Sequence, residues 1–197
     1  MRVLLDDNPI EVRPPTIARA IEVGREAAGA RGRIVIEVLG DGASVDPALL
    51  DDPPADSAGF VELKLVTADA GLFVSVTLSD ALGVLDEIGR AQARAGEAVL
   101  SGREEEALEP LGSALTGWGL IRDLVEKSAA LLGLDPRGIE GGSAAIDALA
   151  DRLAEIRRAL TERDSSALGD VLAYDMPEQV ERWRGLLSAM ERRASGA

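Results

Sequence analysis

Two pairs of adjacent aspartates, Asp6-Asp7 and Asp51-Asp52, are the groups whose type and spacing could hold a hard cation such as Mg²⁺. Both lie in turn sequences near proline, where aspartate is favoured because its carboxylate bonds the local backbone. Neither pair has the alternating acids and glycine of a calcium loop. Turn chemistry accounts for both, and no metal site is assigned. Glu104-Glu105-Glu106 opens a helix, where negative charge complements the unpaired N–H groups. The chain has no histidine and no cysteine. It therefore lacks the usual neutral-pH general base, the thiol nucleophile and the common ligands for zinc, copper or haem. Carboxylates, hydroxyls, arginines and the lysines Lys64 and Lys127 are what remain.

The frames that would put those groups to work are missing. Neither lysine follows a glycine, so there is no phosphate-binding loop. Gly40-Asp41-Gly42 lacks the third glycine of a dinucleotide fingerprint, and Gly117-Trp118-Gly119 is not preceded by a strand. The Ser-x-x-Lys and Gly-x-Ser-x-Gly nucleophile motifs are absent. A di-iron bundle needs Glu-x-x-His repeats, which a chain without histidine cannot supply. Helical nucleotide pyrophosphatases carry a Glu-x-x-Glu pair and, further on, a Glu-x-x-Asp pair. Glu178 and Glu181 match the first half, and the chain ends too soon for the second. No cofactor is expected.

A net charge of −14 argues against nucleic acid and anionic membranes as partners. Arg152, Arg157, Arg158 and Arg163 are interleaved with Asp151, Glu155 and Glu162, which reads as a solvated, ion-paired helix face. Arginine outnumbers lysine and alanine is abundant, which we read as the codon bias of a GC-rich bacterial genome. No stretch has the layout of a signal peptide or the length of a membrane span, so a cytoplasmic location is expected.

The elements that must position any site divide the chain into residues 1–68 and 69–197. In the first part, Arg2–Leu5 and Ile10–Val12 alternate as strands around the turn Asp6–Pro9. Thr16 caps a helix from Ile17 to Ala30, and Arg33–Leu39 is β-branched and nearly continuous. A short Ala43–Val45 strand, one helical turn over Asp46–Asp52, a Pro53-Pro54 stop and an alternating strand Phe60–Val66 complete it. This order resembles the β-grasp (ubiquitin-like) fold over residues 1 to about 67. A ubiquitin-like modifier ends in a free Gly-Gly. Here the last strand runs into Thr67-Ala68-Asp69, and the only Gly-Gly, Gly141-Gly142, is internal. The resemblance thus implies a binding module and does not extend to conjugation chemistry.

From residue 69 the period becomes helical. A helix from near residue 70 carries Leu78, Leu82, Leu85 and Ile88, with Thr77 and Asp80 as a capping box. Ser101 and Glu104 form a second box before Leu108, Leu111, Leu115, Trp118 and Val125. Gly133 and Pro136 end that helix, and residues 135–142 read as a loop. Ser143 caps a helix with the stripe Ile146, Leu149, Leu153, Ile156, Leu160. Asp164 opens a short one, and Asp175 with Glu178 a last one bearing Val180, Trp183, Leu187 and Met190. The expected fold is α+β: a small β-grasp-like mixed sheet with one helix, then an antiparallel bundle of four to five helices.

Trp118 and Trp183 stand out in a chain with 3% aromatic residues. They read as core anchors or, since tryptophan is enriched at interfaces, as partner-binding residues. Gly117 and Gly119 flank Trp118 inside a helix, which implies close approach of another helix. The function expected is a non-enzymatic cytosolic interaction module (adaptor, chaperone or assembly factor) that binds a protein partner through its bundle. In helix content the bundle looks like the small flagellin-specific export chaperones. A homodimer is the self-assembly form of this reading. Its alternative is a carboxylate- and arginine-based enzyme, with or without Mg²⁺, acting on a phosphorylated or sugar substrate.

Overall fold

Alternation in residues 1–69 produces a five-stranded mixed sheet: β1 (Arg2–Leu5), β2 (Asn8–Ile10), β3 (Arg33–Gly40), β4 (Ala43–Ser44) and β5 (Glu62–Asp69). The structure is a computed structural model that describes residues 1–51, 53 and 59–196. Asp52 of the Asp51-Asp52 pair and Pro54 of the Pro53-Pro54 stop lie outside the described residues. The chain is α+β and divides into two compact units, Met1–Phe73 and Val74–Ala197.

In the first unit the strand order is β2-β1-β5-β3-β4, with β1 and β5 parallel and the other pairs antiparallel. Helix α1 (Ile17–Gly29) starts where expected, Thr16 Oγ1 accepting the Arg19 N–H at 3.2 Å. Its buried residues Ile17, Ala20, Ile21 and Ala28 join Leu5, Val38, Leu63 and Leu65 in one core. Helix α2 (Pro47–Asp51) is the single turn read from Asp46–Asp52. Strand β2 begins two residues earlier than its predicted Ile10 start. The hairpin turn is only Asp6-Asp7, so Leu5 pairs directly with Asn8. Strand β5 runs on to Asp69 because Arg33, Ile34 and Val35 of β3 pair with Asp69, Ala68 and Thr67.

The second unit is a helical bundle of α3 (Ala70–Leu100) from Val74 onward, α4 (Glu104–Leu132), α5 (Gly142–Glu162), α6 (Ser165–Asp170) and α7 (Met176–Ala194). Several expected caps are not caps. Thr77 and Asp80 lie inside α3, whose first turn is held by Asp69 Oδ1 accepting the Leu72 N–H at 2.8 Å. Helix α4 begins after Arg103 with no side-chain cap; Glu104 instead accepts from Ser165 Oγ at 3.0 Å. Left-handed Gly141 precedes α5, and the exposed Ser143 Oγ donates along the helix to Asp147 Oδ2 at 3.1 Å. The expected loop 135–142 contains a 3₁₀ turn, Pro136–Gly138, capped by Asp135. Nor are the last two helices separate: a π turn, Val171–Asp175, carries α6 into α7. Close approach by α3 accompanies that turn, since a Cβ on Gly96 would lie 3.2 Å from Leu172 Cβ. Among the described residues no helix is long and apolar enough to cross a membrane.

Candidate functional site

Helix α4 turns one stripe of its surface inward: Ala107, Leu111, Ala114, Trp118, Ile121 and Val125 are all buried. This is the i, i+4, i+7 spacing of a core-facing face. Both tryptophans belong to the interior, being 1% and 2% exposed. Their rings meet edge to face, with centroids 5.7 Å apart at 69°. Such a pair adds about 0.5–1.5 kcal/mol beyond its buried area. Trp118 Nε1 donates to Gln92 Oε1 at 2.5 Å, and Trp183 Nε1 to the Ala145 carbonyl at 3.1 Å. The structure thus brings together the two residues singled out as partner-binding, and it places them as anchors between helices, away from the surface.

What the surface offers instead is leucine. The sequence pattern puts Leu108 on the inward stripe, but Ala107 and Leu111 occupy the core positions and turn it outward, 63% exposed. Leu160, the last member of the α5 stripe, is 42% exposed. These two stand at the rim of a pocket of about 420 Å³ where the ends of α3 and α5 meet the starts of α4 and α6. The volume is within the range of ligand-sized clefts, about 300–1,000 Å³. Its floor is Val99, Ala107, Leu111, Ala159 and Leu168. Two of the floor residues, Ala107 and Ala159, are small. Its frame is fixed by the Ser165–Glu104 bond and by Asp164 Oδ1, which accepts the Ala167 N–H at 3.0 Å and caps α6. Glu104, Arg163 and Asp164 supply its polar edge. The arginine series on α5 is paired in part, Arg152 to Glu155 at 2.6 Å and to Asp175 at 3.3 Å.

Asp6 and Asp7 are engaged by protein donors. Asp6, with φ of 54°, accepts the Thr67 N–H at 2.8 Å and the Thr67 hydroxyl at 2.9 Å, while Asp7 pairs with Lys64 at 2.7 Å. The Thr67 amide holds the Asp6 carboxyl below the ordinary aspartate value, against an opposing cost of burial. The Thr67 hydroxyl and the charges of Arg33 and Lys64 act in the same downward direction. This geometry clasps the β1–β2 turn to β5. Among the described residues no cluster of three or more acids forms a metal-binding group.

The chemistry on offer at the bundle pocket is therefore apolar burial framed by a few charges. Sequence reasoning missed Leu108 and Leu160 as surface residues because both continue hydrophobic stripes. The available signal was Ala107, one position before Leu108 and in phase with Leu111. Comparison with known protein families, characterised proteins and solved structures finds no match to this chain.

Proposed function

We propose that this chain is a non-enzymatic protein-interaction module whose helical bundle seats an apolar segment of a protein partner. The observation that carries the reading is the pocket beside Leu160, an apolar floor with a large apolar side chain left at its rim. Burying one such leucine fully is worth about 1.5–3 kcal/mol, enough for a few anchors to sustain specific binding. The net charge of −14 favours a partner whose flanking residues are basic, because an acidic one is repelled on approach. Under the same proposal the first unit is a β-grasp binding module. The sheet order β2-β1-β5-β3-β4 with β1 parallel to β5 and α1 against the sheet supports that assignment. A cytoplasmic adaptor, chaperone or assembly factor is the role that fits both units.

Site-specific photo-cross-linking in the source cells tests this. A photoreactive residue at position 160 should give a discrete adduct with another protein. The same residue at 131, another exposed leucine on the bundle, should not. No adduct from 160, or equal adducts from both positions, would overturn the proposal.

A further inference from the structure

A second face of the bundle is built for a different occupant. Between α3 and α4 lies an open trough of about 1090 Å³. Four charged residues line it, Glu87, Arg90, Arg94 and Glu109, so it is neutral in a chain of net charge −14. Among the described residues, none of these four makes an ion pair or a side-chain hydrogen bond within the chain. At either end of the α4 side stand Leu108 and Leu120, 63% and 61% exposed. Between them are Gly112, Ser113 and Thr116, and a Cβ on Gly112 would meet nothing within 4 Å.

The arrangement is self-complementary. On α3 the midpoint between Glu87 and Arg94 falls between Arg90 and Ala91; on α4 the midpoint between Leu108 and Leu120 is Ala114. Ile88 touches α4 at Gly117, where a Cβ would sit 2.5 Å from Ile88 Cγ1. Because α4 runs back along α3, that contact sets Ala91 level with Ala114. Both midpoints therefore lie at one height, and one two-fold axis perpendicular to the helices serves both.

We infer that the α3–α4 trough is the interface of an isologous homodimer, with the second copy's α3 and α4 laid antiparallel on their counterparts. Glu87 of each copy then meets Arg94 of the other, and Arg90 lies within a turn of both Glu87 carboxylates. Gly112 lies opposite Thr116, where a small residue lets the helices approach closely, and Leu108 and Leu120, 12 residues and so about a third of a turn apart in direction, flank that contact on its two sides and are covered with it. A chain this acidic repels its own copy over most of its surface, and the neutral trough is where that repulsion is least. This inference is independent of the pocket reading: Leu108 stands between trough and pocket, whereas Leu120, Glu87 and Arg94 line the trough alone and Leu160 the pocket alone.

Light scattering coupled to size exclusion on the full chain tests the interface. The wild type should run at twice 20.6 kDa. Leu120→Glu should be a monomer that keeps its helical circular dichroism and its buried-tryptophan emission. Glu87→Arg and Arg94→Glu should each weaken the dimer at least about tenfold, and the double swap Glu87→Arg/Arg94→Glu should restore it. A wild-type monomer at all concentrations, a dimer indifferent to Leu120→Glu, or a double swap that fails to restore association would each overturn the inference.

Discussion

The contact between Gly117 and Ile88 fixes the register of α3 against α4, and replacing the glycine measures how tightly it is set. In a helix interior alanine is favoured over glycine by about 1 kcal/mol. At position 117 the added Cβ would lie 2.5 Å from Ile88 Cγ1 and 3.0 Å from its Cδ1. Ile88 is 3% exposed, and its β-branched side chain is stiff at χ1. It cannot swing clear, so the helices must part by some tenths of an ångström. Overpacking of this kind costs about 1–3 kcal/mol. Gly117→Ala should therefore be neutral to about 2 kcal/mol destabilising once the helix gain is subtracted. Gly185→Ala in α7 is the control, since a Cβ there meets nothing within 4 Å. It should stabilise by up to about 1 kcal/mol. Urea unfolding followed by tryptophan fluorescence reads both variants, because both tryptophans lie in the Val74–Ala197 unit. If Gly117→Ala stabilised the bundle as much as Gly185→Ala, the close approach and the α3–α4 register drawn from it would be wrong.

Trp118→Phe removes the donor to Gln92 Oε1 and leaves a buried amide whose Nε2 already lacks a partner. A loss of about 2–4 kcal/mol is expected in the same urea assay. Adding Gln92→Leu should recover part of it, since removing both partners is cheaper than stranding one; no recovery would mean the bond is not what holds Gln92. For Asp6, the folded-state pKa lies below the unfolded one, so its stabilisation is complete above about pH 4 and is lost as pH falls through the depressed folded value. Asp6→Asn should accordingly be less stable than wild type at neutral pH, with the gap closing below about pH 4. Hydrogen exchange at the Thr67 amide follows this, and a gap that stayed constant down to pH 3 would refute the clasp.

Much of the fold was legible because it is local. Thr16 and Asp164 cap their helices through bonds to residues three positions on, and the β-branched run at 33–39 needed little tertiary help to declare a strand. The misread caps share a cause. Thr77-x-x-Asp80 and Ser101-x-x-Glu104 have the right spacing, but helix boundaries answer to packing as well as to local bonds. Asp69 had already opened α3, and Glu104 was drawn to Ser165, 61 residues away. The Asp6–Thr67 clasp spans the same sequence distance and leaves no periodic trace. The candidate site was hidden by alanine. On α4, Leu108-Leu111-Leu115 and Ala107-Leu111-Ala114-Trp118 are both helical stripes, and apolar size favours the first. The core took the second, which carries Trp118 to its contact with Trp183 of α7, and so Leu108 was left outside.

Binding of a protein partner at the Leu160 pocket is the central claim, and comparative affinity capture tests it most directly. Wild type and Leu160→Asp, each shown folded by its tryptophan emission, would be used as bait in parallel and the recovered proteins quantified by mass spectrometry. One protein recovered near stoichiometry with wild type and reduced about tenfold or more with Leu160→Asp, as expected when a buried apolar contact is replaced by an unpaired charge, is the result required. Equal recovery with both baits, or no partner with either, would contradict it.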